Sequence, residues 1–186
     1  IPTEVVTIDD AGVLVIDDRG RRWRLPKHAA ALDADTRAGR LRICREVVTE
    51  RDLFHVGGTF YELPAENAGG FAVIRPIASH GFAISDFASY RGLLVMTGLA
   101  TDASAGPHVV RSDDDNAAVW VGTIDDLWGL GRPRGEGGPW RHTPVKAGVP
   151  SDPFLLWGFV DRRLALRHSD AATVTMRVEL DLTGTG

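Results

Sequence analysis

Apolar residues alternate with polar ones over short stretches of this chain, and aspartate and glycine separate the stretches. Period-two patterning bounded by turn residues is the signature of β-strands. On that basis residues 4–8, 13–16, 21–25, 41–49, 59–63, 71–75, 109–111 and 117–121 each predict a strand. Residues 92–97 form a continuous apolar run, which predicts a strand covered on both faces. Toward the end, residues 155–160, 163–167 and 173–182 predict three more. In the last, Val174, Met176, Val178 and Leu180 alternate with Thr173, Thr175, Arg177, Glu179 and Asp181. Asp17-Asp18-Arg19-Gly20 and the acidic segment from Ser112 to Asn116 sit between strand pairs and read as hairpin turns. No helical stripe exceeds one or two turns. Residues 124–128 suit a short helical turn, and the alanine-rich residues 28–40 a loop or a single turn of helix.

Strands recurring at intervals of about 10 residues with glycine-rich turns predict an all-β fold, β-propeller-like or a β-sandwich, carrying one long irregular loop. No internal repeat is strong enough to count blades. Residues 1–186 read as a single all-β segment, with a sub-boundary to be sought near residues 28–40. After the last predicted strand comes Thr183-Gly184-Thr185-Gly186, a turn. The expectation is that further strands follow in a larger protein, or that a second chain supplies them.

Composition narrows the function classes. Of the 186 residues 44% are apolar and 25% charged, so the chain can bury a core without disulfides or metals. A net charge of −4 argues against a nucleic-acid partner, which needs a basic footprint. No apolar run approaches the ~18 residues of a membrane span, so no membrane partner is expected; a soluble protein is, cytoplasmic or secreted. Cys44 stands alone and cannot form an internal disulfide. Basic charge is arginine apart from Lys27 and Lys146. A planar guanidinium grips carboxylates and hydroxyl pairs better than an ammonium does.

The segment 122–152 is the most unusual. Some thirty irregular residues in a small domain usually carry function. It holds Trp128 and Trp140, the adjacent Asp125 and Asp126, and Asp152 at its close. An indole face covers the apolar face of a pyranose, while carboxylates and arginines take its hydroxyls. Either indole could instead plug the underside of the loop.

Glycoside hydrolysis needs two carboxyl groups, ~5–5.5 Å apart for retention or ~6.5–9.5 Å for inversion. Glu62, Asp86, Asp125 and Asp126 are the catalytic candidates, with Glu66 nearby in sequence. Arg75, His80 and Arg91 would hold substrate hydroxyls, Trp128 and Trp140 would stack on sugar rings, and Asp152 would add an acceptor. His55 is the other histidine suited to a ligand. It belongs to the charged cluster Arg45-Glu46, Glu50-Arg51-Asp52, which lines a polar cleft or forms an ion-pair network. The run Asp113-Asp114-Asp115-Asn116 lacks the spacing of a calcium loop and reads as a turn. No zinc, nucleophile-elbow, phosphate-loop or dinucleotide motif is present, so no metal and no cofactor is expected.

Several motifs form a recognisable set: Thr49-Glu50-Arg51-Asp52-Leu53-Phe54, Gly58-Thr59-Phe60-Tyr61-Glu62-Leu63-Pro64, Ile74-Arg75-Pro76-Ile77 and Ser89-Tyr90-Arg91-Gly92-Leu93-Leu94-Val95. Asp125-Asp126-Leu127-Trp128, Gly137-Gly138-Pro139-Trp140 and Pro150-Ser151-Asp152-Pro153 continue it. Over about residues 41–182 the chain resembles the carboxyl-terminal portion of large bacterial carbohydrate-active proteins. The resemblance implies a propeller with an appended β-sandwich, further strands on both sides, and carbohydrate as partner. It assigns no residue a catalytic role. The chemistry of the residues favours a glycoside hydrolase acting through a carboxylate pair. The alternative is a non-catalytic carbohydrate-binding or assembly module.

Overall fold

The structure, a computed structural model, describes residues 5–40, 43–48 and 51–184. Three antiparallel sheets follow one another along the chain. The first contains β1 (Val5–Asp9), β2 (Gly12–Ile16) and β3 (Arg22–Leu25) in that order. Aspartates build its turns. Asp9 Oδ1 accepts from the Ala11 and Gly12 amides at 2.8 and 3.0 Å. Asp17 Oδ1 accepts from the Arg19 and Arg21 amides at 3.0 and 2.7 Å. Such side-chain acceptors are why aspartate favours turns. Residues 153–155 run parallel to the outer edge of β3, the Arg24 amide donating to Pro153 O at 2.8 Å and the Leu155 amide to Arg24 O at 2.9 Å.

A short 3₁₀ turn, Ala30–Leu32, and α1 (Asp33–Arg37) lead to the second sheet, β4 (Ile43–Val48), β5 (Arg51–Val56), β6 (Thr59–Pro64) and β7 (Arg75–Ser79), again in sequence order. Gly57 and Gly58, with φ of 60° and 77°, close the β5–β6 hairpin. Two successive positive φ values suit the right-handed strand twist, and glycine adopts them without strain. The third sheet holds β8 (Asp86–Tyr90), β9 (Leu93–Leu99), β10 (Val109–Arg111) and β11 (Ala118–Gly122), ordered β10-β11-β9-β8. The 3₁₀ helix Asp125–Leu130 follows, and residues 131–184 carry no further strand or helix.

The second sheet is buried on both faces. Phe54, Val56, Tyr61 and Leu63 pack with Val13, Val15 and Leu25 of the first sheet and with Phe71 and Ile74. Leu53 and Phe60 point the other way, into a cluster with Phe87, Leu94, Met96, Trp120 and Leu127. Strand periodicity sorts them, since neighbouring residues face opposite sides. Phe60 meets Phe87 edge-on at 5.7 Å, joining the second sheet to the third. Trp120 is fully buried and its indole N–H donates to Ala105 O at 3.1 Å.

The all-β expectation holds, as do both acidic hairpins and the short helical turns. Several strand expectations do not. Residues 155–160, 163–167 and 173–182 form no strand, because period-two spacing specifies a face but supplies no neighbour to hydrogen-bond. Residues 71–75 mostly form the 3₁₀ helix Gly70–Val73, turned by Gly69 and Gly70 at φ of 108° and 53°. Coverage on both faces belongs to β5 and β6 rather than to residues 92–97. Strand β9 buries Leu94, Met96 and Leu99 and leaves Leu93 and Thr97 exposed, so among the described residues only one of its faces is fully covered. Strands β5 and β8, and β7 beyond Arg75, carry no strand expectation in the sequence pattern. Residues 4, 41, 42 and 49 of predicted strands lie outside the described residues.

Candidate functional site

Strand alternation puts Glu62 on the same face of the second sheet as Leu53 and Phe60, the face turned toward the third sheet. Beyond the edge of that core the Asp125–Leu130 helix crosses above β7, and a cleft of about 320 Å³ opens between them. Its floor is Val47, Leu53, Pro76 and Ile77. Arg51, Asp52, Glu62 and Arg75 line one wall, and Ile124, Asp125 and Trp128 the other. Leu127 is fully buried and anchors the helix, while Trp128, one residue on, is 70% exposed. A 3₁₀ turn separates adjacent side chains by about a third of a revolution, so burying Leu127 turns Trp128 outward.

Glu62 lies opposite Arg75 across the β6–β7 ladder. Arg75 Nε donates to Glu62 Oε2 at 2.7 Å, and Arg51 Nη1 stands 3.2 Å from Oε1. Both carboxylate oxygens are therefore engaged by guanidiniums. Each guanidinium has five N–H groups, so Arg51 and Arg75 keep donors for a ligand. No ion pair or hydrogen bond engages the exposed Asp125 among the described residues.

A smaller cleft of about 230 Å³ lies on the other side of the same helix, and Asp125 borders it too. His108, Trp120 and Asp126 line it. Asp126 Oδ2 accepts from the Thr123 amide at 2.7 Å and from its hydroxyl at 2.8 Å. The Thr123 amide, then its hydroxyl, hold the Asp126 carboxyl below the usual carboxylate range. His108 Nε2 is 3.6 Å from Asp126 Oδ1, and its Nδ1 is 3.2 Å from Val121 O.

The remaining sequence candidates lie elsewhere. Asp86 sits on β8, its Oδ2 accepting from Arg45 Nη2 at 2.9 Å in a link between the second and third sheets. Arg91 occupies the β8–β9 turn at φ 51°, its guanidinium 5.3 Å from the Tyr90 ring. Trp140 is exposed in the irregular segment, outside both clefts. Asp152 is held by Arg22 at 2.8 Å and Arg24 at 3.3 Å, and the Arg22 bond depresses its carboxyl pKa. This network helps fasten residues 153–155 to β3.

His80 is buried rather than open to a ligand. Its Nε2 lies 3.1 Å from His55 Nε2, the two rings stack at 5.0 Å, and Phe82 stacks on His80 at 4.0 Å. Of two facing nitrogens one must donate and the other accept, so the pair fits one proton between the rings. Burial pushes His80 down to about 4; a backbone bond at Phe82 opposes this and His28 adds to it. The acidic turn is self-contained: Ser112 Oγ donates to Asp114 Oδ1 at 2.6 Å and Asn116 Nδ2 to Oδ2 at 2.9 Å. These bonds pull Asp114 down to about 2, the serine contributing most. Among the described residues no group of three histidine, cysteine or acidic side chains converges as a metal site.

Of the catalytic candidates, then, Glu62 and Asp125 share one cleft, and Asp125 and Asp126 border the other. Arg75 and Trp128 join the first pair. Arg51 and Asp52 were visible in the sequence only as part of a charge cluster. His108 carries no candidate role in the sequence, because its approach to Asp126 depends on the folding of the third sheet. No protein-family model, no curated protein and no solved structure matches the chain.

Proposed function

We propose that this is a carbohydrate-binding β module whose site is the cleft between β5–β7 and the Asp125–Leu130 helix. The observation that carries the reading is Trp128, a mostly exposed indole held by a buried neighbour beside Arg51, Arg75 and Asp125. A flat apolar surface flanked by charged donors and acceptors matches a pyranose, which has an apolar face and a rim of hydroxyls. Both signs of charge line the cleft, which suits neutral sugars better than strongly charged ones. The three sheets are consistent with successive blades of a propeller-like array, the middle one covered on both sides by its neighbours.

The test is titration calorimetry of the protein against a panel of neutral oligosaccharides. Trp128→Ala should weaken binding about tenfold, as expected for loss of about 1.5 kcal/mol of ring stacking. Unchanged affinity in the variant would remove Trp128 from the site.

A glycoside hydrolase remains the second reading, favoured by one observation: Glu62 and Asp125 line the same cleft. In this reading a substrate must displace at least one guanidinium from Glu62 before that carboxylate can attack or transfer a proton. Turnover that is lost in both Glu62→Gln and Asp125→Asn, with binding retained, would establish it over the binding module.

A further inference from the structure

Residues 173–182 carry the cleanest alternating pattern in the sequence, yet no sheet among the described residues takes them up. The apolar set lies in water: Val178 is 58% exposed, Leu180 72% and Leu182 91%. Within the segment Arg177 Nη2 lies 2.7 Å from Glu179 Oε1, both side chains exposed. In a strand, residues two apart share one face, so pairing of this segment would set its apolar residues on one side and its charged ones on the other. A strand-patterned segment with an exposed apolar row is a template for pairing with another strand.

The order of residues fits a second copy of itself. Antiparallel pairing about a two-fold axis through Val178 sets Val178 opposite Val178 and Met176 opposite Leu180. It sets Val174 opposite Leu182, so every apolar side chain faces an apolar one. On the other face Arg177 stands opposite Glu179, and by symmetry Glu179 opposite Arg177, while Thr175 faces Asp181. A two-fold interface must be self-complementary, and this nine-residue segment is, in charge as well as in polarity. Centring the axis on Arg177 instead would place two guanidiniums face to face.

We propose that residues 174–182 pair with the same segment of a second copy, forming an antiparallel two-stranded ribbon that makes the protein a homodimer. The inference is independent of the carbohydrate site. Cross-strand pairs of this kind stabilise by a few tenths to one kcal/mol each, and like charges directly opposite destabilise. Sedimentation equilibrium over a concentration series should give a monomer–dimer equilibrium. Arg177→Glu places glutamates opposite one another twice and should weaken association about tenfold. Glu179→Arg should do the same, and the double exchange R177E/E179R should restore association to near the original value. Both side chains are exposed, so circular dichroism should show an unchanged fold throughout. A monomer at every concentration would overturn the proposal, as would a dimer indifferent to the single exchanges. A monomer whose amides in residues 174–182 resist hydrogen exchange would also overturn it, by placing the segment against its own chain.

Discussion

His80 shows how much of this molecule's behaviour is decided by single side chains in their surroundings. The ring is buried between His55 and Phe82, and its protonation is suppressed to about 4 from an ordinary value near 6.5. In the unfolded chain it takes up a proton as pH falls through its ordinary value, while the folded protein refuses one until about 4. Stability is therefore full above about pH 7 and declines between about 6.5 and 4, by a total on the order of 3 kcal/mol. Urea denaturation at steps across that range should show the decline, and His80→Gln should flatten it. An unchanged slope in the variant would mean that other groups carry the acid sensitivity. Of the residues that matter here, the sequence made Glu62, Asp125 and Trp128 visible through chemistry alone. It could not reveal that Arg75 and Arg51 clasp Glu62, because those contacts depend on strand register. Nor could it show that His80 faces His55 in the core: Ile43 opposite His55 and the β6–β7 bulge are properties of the folded sheet.

At the scale of elements, turns were the most legible features. Asp17, Ser112 and Asp114 hydrogen-bond within their own turns, so the local sequence determines the local structure. The β5–β6 turn goes further. Gly58 has φ 77°, and a Cβ there would come within 2.6 Å of His80 O and 2.8 Å of Ala29 Cβ. Backbone cannot yield easily at that distance. Gly58→Ala should thus cost more than 1 kcal/mol, from the positive φ and the crowding together. Thermal unfolding checks this; a melting temperature equal to that of the original protein would contradict it. Strands were harder to read than turns. β5 contains Leu53, Phe54, His55 and Val56, all buried, so no alternation marks it. Residues 173–182 alternate cleanly and form no strand. In both cases the missing information is what lies on each side, which a single strand's sequence does not contain.

For the whole molecule, the second sheet is the shared wall of two hydrophobic clusters. Phe60 belongs to one and Tyr61 to the other. Removing either face of that sheet from its cover exposes strands common to both, so the three sheets should unfold in one transition. Phe60→Ala should destabilise by about 3–5 kcal/mol and lower the single transition without splitting it. Two separated transitions by calorimetry would contradict a shared wall. The same sheet positions the site: its inward face makes core with Leu53 and Phe60, and its continuation at Glu62 becomes the wall of the open cleft. Rigidity beneath the cleft lets Trp128 present an indole at low entropic cost.

The most direct test is nuclear magnetic resonance of the indole N–H protons during titration with a neutral oligosaccharide that the protein binds. The Trp128 signal should move with saturation of the site, while buried Trp120 and Trp140, which does not line the cleft, stay fixed. Binding that leaves Trp128 unmoved, or no binding across the whole oligosaccharide panel, would contradict a carbohydrate site in this cleft.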